Sequence, residues 1–431
     1  MFKFIHAADI HLDSPMLNLD QYDGAPSGDL RVATREAFDN LIQIAIEQEV
    51  DFLLIAGDLY DKDSPDFNSP RHVLEKFGEL DEQKIRVFII QGNHDAESQT
   101  RKSFGALKFP KNVHVFSTRK PETVSLDEID VAIHGQGFAT RAVEEDLSTK
   151  YPAPVAGQFN IGVLHTNVGG LQTHDNYAPS NLENLRSHGY EYWALGHIHK
   201  RNELSGGMYQ QIRYAGNTQG RHVGESGPKG CLLVTVDNSR RISVKFHATD
   251  VWRWWECMVD ASNCTSAEEV LVDSIRSIQN ALNEADGRSL AVRVRVTGAS
   301  QANHDLRGHA EYWRDKLCRM CVDEFDEQVW IEKLKITTRS PVATHLEDRE
   351  EVNGELVGAI RDATVSPDLI EDLRRDLKKM LDLVPKDPRL QGLFDLDDED
   401  EVAAMIDDAK QLLVSRMLHP HDAAGKSEDD A

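Results

Sequence analysis

The chain has 431 residues, 40% hydrophobic and 28% charged, with a formal net charge of −25. That length holds about two to four domains at roughly 100–200 residues each, with enough apolar residues for proper cores. No window approaches the ~18 apolar residues of a membrane helix, and the opening MFKFIHAADIHLD lacks the basic-then-apolar order of a secretory leader, so a cytoplasmic protein with no membrane partner is expected.

In chain order, residues 1–250 alternate short apolar runs with helical or loop segments. The clearest strands are FKFIHA, DFLLIAG, RVFIIQG, VHVF, NIGVLH, YWALG, CLLVTV and RISVKFH, and SPRHVLEKFGEL predicts a helix between the second and third. This alternation predicts an α/β domain, in which function gathers on loops leaving the C-terminal ends of strands.

A second unit starts near VWRWWECMVD and occupies 251–345. Ser266 and Glu269 have the spacing of a capping box ahead of VLVDSIRSIQNALNEA. SLAVRVRVTG sets Val292, Val294 and Val296 against Arg293 and Arg295, which predicts a half-exposed strand. The helix HAEYWRDKLCRMCVDEF and the strand VWIEKLKITTR complete a small α/β module. Cys318 and Cys321 lie in that helix as a lone C-x-x-C, read as core-facing thiols, and five scattered cysteines argue against a disulfide framework.

Residues 346–431 change character. Ser366-Pro367 opens a helix with Leu369, Leu373, Leu377, Met380 and Leu381 on one face, and a second helix carries Val402, Ile406, Ala409, Leu413 and Met417. Such stripes must be buried, either on the protein's own body or on a partner's helices. Acidic runs such as FDLDDEDEV crowd this region, so the net charge does not exclude a nucleic acid held at one cleft elsewhere.

The chemistry lies where strands end. Asp9 and His11 follow the first strand, Asp58 the second, and Asn93, His94 and Asp95 the third; His165 ends a later strand, and His197 and His199 follow another. One histidine at a strand end is an ordinary turn residue, but five such ends in order are not. Carboxylate, imidazole and amide oxygen without thiolate suit Mn(II), Fe(II) or Zn(II) in a catalytic rather than a structural site. Asp58, central in the order and offering two oxygens, is the natural bridge between two ions.

The blocks DIH, GDLYD, GNHD, LHTN and GHIH resemble the signature of the calcineurin-like metallophosphoesterases. AGDLYDKDSP, YEYWALGHIHKR and IRYAGNTQGRHVGESGPKGCLLVTVD further resemble the SbcD-type branch of DNA repair exonucleases. The resemblance covers residues 1–250, extends to 251–345 as a capping domain that would recognise DNA, and is less clear over 346–431. It implies a metallophosphoesterase β-sandwich flanked by helices, then a small α/β capping domain and C-terminal helices. It also implies two divalent ions, with Mn(II) expected: one held by Asp9, His11, Asp58 and His199, the other by Asp58, Asn93, His165 and His197. His94 would face the phosphate as an acid, with Asp95 orienting it through its ring nitrogen. Some nuclease relatives place a second histidine three positions after the bridging aspartate; Asp61 stands there in this chain, and its role is left open.

The expected function is therefore a metal-dependent exonuclease or endonuclease cutting phosphodiester bonds at DNA ends, duplex or single-stranded, in DNA repair. Arg221 and its neighbour His222, after the YAGN loop, are candidate substrate contacts, although His222, like His6, His134 and His174, has no strand-end support. The arginines of VRVRV are candidate phosphate contacts. The resemblance further implies a homodimer and an SMC-like coiled-coil ATPase bound through the C-terminal helices. That ATPase would act in trans, because the chain has no G-x-x-x-x-G-K-[ST] loop. The alternatives are a two-metal phosphodiesterase or phosphatase for a small phosphoester, and a subunit whose main work is tethering DNA.

Overall fold

The computed structural model describes residues 1–14, 26–61, 68–97, 109–169, 178–339 and 341, with isolated positions from 358 to 413. The chain divides into two compact units, one built on the N-terminal segment, residues 26–255 and 282–291, the other on 256–281 and the chain from 292 onward. The apolar stripe expected at Leu369–Leu381 lies outside the described residues.

The first unit begins with β1 (Phe2–Ala7), α1 (Ser27–Glu47), β2 (Phe52–Ala56), α2 (Asn68–Glu82) and β3 (Arg86–Ile90), followed by the short α3 (Asn93–Glu97) and β4 (Val113–Val115). β1, β2, β3 and β4 pair in parallel, because a helix or loop carries the chain back between them. Next come β5 (Glu122–Leu126), β6 (Val131–Gly135), β7 (Phe159–His165), the two-residue β8 (Asn167–Val168) and β9 (Pro179–Ser180), and α4 (Leu182–Ser187). β10 (Tyr192–Gly196), β11 (Asn202–Gly206), β12 (Gln211–Tyr214), β13 (Gly230–Val236) and β14 (Ile242–Ala248) complete the set. Twelve of these strands form two six-stranded sheets, ordered β14-β13-β1-β2-β3-β4 and β11-β12-β10-β7-β6-β5, while β8 and β9 pair with each other.

The central strands are apolar on both faces, as parallel strands covered on both sides must be. Phe4, Phe52, Leu54, Phe88 and Ile90 meet Phe159, Ile161, Val163 and Tyr192 between the sheets. The alternate residues Ile5, Leu53, Ile55, Val87 and Ile89 pack under Phe38, Leu41, Val73, Phe77 and Leu80 of α1 and α2. Each fully buried phenylalanine or leucine contributes about 1.5–3 kcal/mol. The result is the helix-flanked β-sandwich that the motifs imply.

His6 sits wholly inside this sandwich, its Nδ1 3.1 Å from Tyr192 Oη and its Nε2 donating to Leu195 O at 3.0 Å. Burial drives its pKa from 6.5 to about 3, so it folds neutral. The unfolded chain binds the proton below pH 6.5 and the folded chain does not, so the stability from this residue is complete above that pH and lost as pH falls. His6→Gln keeps one donor and one acceptor, and it should flatten the decline in unfolding free energy, read from urea titrations between pH 6.5 and 4.5, by up to about 1.4 kcal/mol per pH unit. An unchanged slope would show that His6 takes up its proton without unfolding.

The three-stranded sheet β15-β16-β17 is made by β15 (Trp252–Asp260), β16 (Ser289–Thr297) and β17 (Val329–Ile336). Among the helices, α5 (Ala267–Asn283) precedes β16, and α6 (Asn303–Gly308) and α7 (Ala310–Phe325) follow it. Ser266 Oγ accepts from Glu269 N at 3.3 Å, while the Glu269 carboxylate reaches Thr265 N at 2.7 Å, one residue further back than a standard capping box. α7 lays Trp313, Leu317, Cys321 and Phe325 along its buried face, with Cys318 half-buried beside them. Val292, Val294 and Val296 are buried. Arg293 Nε donates to Glu332 at 2.8 Å and Arg295 Nε to Glu256 at 2.9 Å, so both guanidinium groups expected to meet phosphate are already paired with carboxylates.

Candidate metal centre

The C-terminal ends of β1, β2, β3, β7 and β10 open onto one edge of the sandwich. Past these ends the chain is stitched by backbone: Asp9 N donates to Gly57 O at 3.1 Å, His11 N to Asp58 O at 3.0 Å and Thr166 N to Gly196 O at 3.1 Å. The turns are tight. Asp9, His11 and Asp58 hold φ of 49°, 47° and 52°, and His197 holds 97°, all in the left-handed region that side chains disfavour. Gly92 and Gly196 sit where no side chain fits: a Cβ would lie 2.2 Å from Asp58 Oδ1 at the first and 2.0 Å from Ala56 O at the second.

Buried donor atoms converge there. Asp9, His11 and His199 place ligand atoms within 4.8 Å of one another, as do Asp9, Asp58 and His165, and also His11, Asp58 and His94. Asn93 joins them, its Oδ1 2.9 Å from His165 Nε2. His197 is adjacent, with ring centroids 5.2 Å from His165, and its backbone N–H lies 2.9 and 3.1 Å from the two oxygens of Asp9.

These atoms fit divalent cations. His165 Nδ1 donates to Ala56 O at 2.9 Å, so Nε2 is the nitrogen that faces Asn93 Oδ1 and, at 3.4 Å, Asp58 Oδ2. Two oxygen acceptors around one ring nitrogen call for a positive charge there. Without a metal a proton on Nε2 supplies it, since against burial Asp58 and Asp9 raise the His165 pKa to about 9, and a cation bound there would take that proton's place. His11 Nε2 and His199 Nε2 face each other at 3.1 Å. Burial raises Asp9 above the usual carboxylate range against the pull of His199 and His165. It works the same way on Asp58, where the charge and hydrogen bond of His165 overcome it and hold the carboxyl low. Burial forces His11 well below the imidazole range, with Arg221 and neighbouring histidines adding to the effect.

His94 stands slightly apart and about a quarter exposed, its side chain at 26%. Its backbone N donates to Asp58 Oδ1 at 2.9 Å, and its Nδ1 donates to Asp61 Oδ1 at 3.0 Å. Burial opposes a charged ring, but the bond to Asp61 and the charges of Asp58 and Asp61 prevail and raise its pKa. The expectation that Asp95 orients His94 is corrected here. The buried Asp95 carboxylate accepts from Gly92 N at 3.0 Å, Tyr60 N at 2.9 Å and Leu59 N at 3.3 Å, tying the exits of β2 and β3 together. Asp61 is the carboxylate on the ring. It also accepts from Ser14 Oγ at 2.5 Å and lies 3.3 Å from Arg221 Nη1, and its pKa drops to about 2 as these bonds outweigh burial.

Arg221 is thus inside the site, 3.2 Å from His199 Nδ1 through Nη2. His222 is not: its side chain is 62% exposed, and its Nδ1 accepts from Gly224 N at 3.2 Å to start a short turn. Reading the sequence missed Ser14 and Glu225. Glu225 is 7% exposed and accepts from His199 Nδ1 at 2.5 Å.

Comparison with known proteins agrees with this geometry. A family model described as calcineurin-like phosphoesterase matches residues 2–201, and one for the middle domain of metallophosphoesterase YhaO matches residues 254–339. The chain is 30% identical over 425 residues to an uncharacterized metallophosphoesterase, YhaO, of Bacillus subtilis (strain 168), covering 96% of this chain and 97% of that protein. It is 27% identical over 220 residues to the DNA double-strand break repair protein Mre11 of Methanopyrus kandleri, covering 46% of this chain and 44% of that protein. Mre11 of Sulfurisphaera tokodaii is 27% identical over 219 residues, covering 49% of this chain and 52% of that protein.

Proposed function

Since this chain belongs to the calcineurin-like phosphoesterases, we propose that it is a two-metal phosphodiesterase that cuts DNA at its ends, with Mn(II) as its metal and DNA repair as its setting. The observation that carries the reading is the convergence of Asp9, His11, Asp58, Asn93, His165 and His199 beside the Asp61–His94 pair. His197 completes the second ligand set through its ring in this proposal. Two divalent ions bound there would neutralise phosphoryl oxygens and lower the pKa of a water nucleophile. Asp61, an acceptor only, keeps a proton on His94 Nδ1, so the Nε2 proton of the charged ring is the one to give to a departing 3′-oxygen. The Mre11 relatives, named for double-strand break repair, favour DNA over a small ester.

The test is digestion of end-labelled duplex and single-stranded DNA with Mn(II), alongside bis-p-nitrophenyl phosphate. The wild type should shorten DNA, and His94→Ala should slow it about 10²–10⁴-fold, the usual contribution of a positioned acid. Hydrolysis of the small ester with DNA left intact would sink the nuclease reading in favour of a small-molecule phosphodiesterase. Residues 346–431 are proposed to dock a coiled-coil ATPase; recovery of that complex after their deletion would refute it.

A further inference from the structure

We infer that Glu225 is a positioning residue that sets the tautomer of His199, keeping the proton on Nδ1 so that Nε2 stays a bare donor turned toward His11 and Asp9. The inference rests on the two-ion reading of the site. His199 Nδ1 has two neighbours with opposite demands: Arg221 Nη2, which can only donate, at 3.2 Å, and Glu225 Oε1, which can only accept, at 2.5 Å. The shorter contact decides, so Nδ1 carries the hydrogen. The backbone oxygen of Ala56 performs the same service for His165 at 2.9 Å. Ligating histidines generally need such a partner on the other ring nitrogen.

The second oxygen makes the assignment testable. Glu225 Oε2 accepts from Arg221 N at 2.8 Å and from Asn217 Nδ2 at 2.9 Å. In Glu225→Gln these two donors claim the amide oxygen, and the NH₂ group is forced toward His199. Nδ1 must then accept, and the ring proton moves to Nε2, where it blocks a cation. The turn stays anchored while the ligand is inverted.

The experiment is titration of the full-length metal-free protein with Mn(II), following free Mn(II) by electron paramagnetic resonance, beside thermal melting. The wild type should take up two ions; Glu225→Gln should bind one of them about 10–100-fold more weakly, the second unchanged, with a near-native melting temperature. Equal binding of both ions by the two proteins would overturn the role of Glu225 and leave the phosphodiesterase reading standing. A wild type that binds no ion would overturn both. Should the variant fail to fold, ¹⁵N shifts of the wild-type imidazoles decide the matter: His199 protonated on Nδ1 supports the assignment, and on Nε2 removes it.

Discussion

Asp58→Asn is expected to abolish hydrolysis, by about 10³–10⁴-fold or more, which is roughly 4–5.5 kcal/mol of transition-state stabilisation. Asp58 is the group on which the site closes: Oδ1 accepts from His94 N at 2.9 Å, while Oδ2 lies 3.4 Å from His165 Nε2 and 3.8 Å from His11 Nε2. An asparagine satisfies the first contact with its oxygen and so turns its NH₂ toward the two imidazoles, where a negative oxygen was. The fold loses little, since a buried charge becomes a neutral amide of the same shape. Hydrolysis of bis-p-nitrophenyl phosphate and thermal melting on the same preparation separate the effects. Turnover within tenfold of wild type would remove Asp58 from the mechanism.

Gly196→Ala should damage the fold itself, by about 3 kcal/mol or more. The added methyl would meet the carbonyl oxygen of Ala56 at 2.0 Å and His165 Nδ1 at 3.0 Å. The first of these is main chain of the facing sheet and cannot rotate away, so the two sheets must part where Ala56 O holds His165. Urea unfolding should show a lower midpoint. A midpoint within error of wild type would mean that the two sheets separate freely at this edge.

Much of this was legible in the sequence, because a buried strand that ends in a polar motif records both the strand and the opening. FLLIA-GD and FIIQ-GNHD are β2 and β3 with their exits attached, and the structure gathers all the strand ends named from the motifs. Polar pairings were less visible. β5 offers only Val124 and Leu126 as apolar residues, and β11 carries no apolar alternation, so neither announces itself as a strand. The 21-residue α1 does have a stripe, Leu30, Ala33, Ala37, Phe38, Leu41 and Ala45, but the alanines make it faint. Side-chain partners were least visible of all. Asp95 follows His94 directly, yet a helical turn points neighbours apart, and the carboxylate that meets the ring comes from 33 residues earlier. Glu225 lies 26 residues beyond the histidine it holds, in a loop with no strand pattern of its own.

The left-handed backbone of Asp9, His11, Asp58 and His197 has a consequence for breeding a hardier protein. Each such residue stores about 1–3 kcal/mol that a glycine would release. Three of the four are also ionisable groups shut away from water at 0–1% exposure, a second debit against folding. Selection for heat tolerance alone would therefore erode these four positions first, toward glycine and asparagine, and return a tougher chain with nothing left to do.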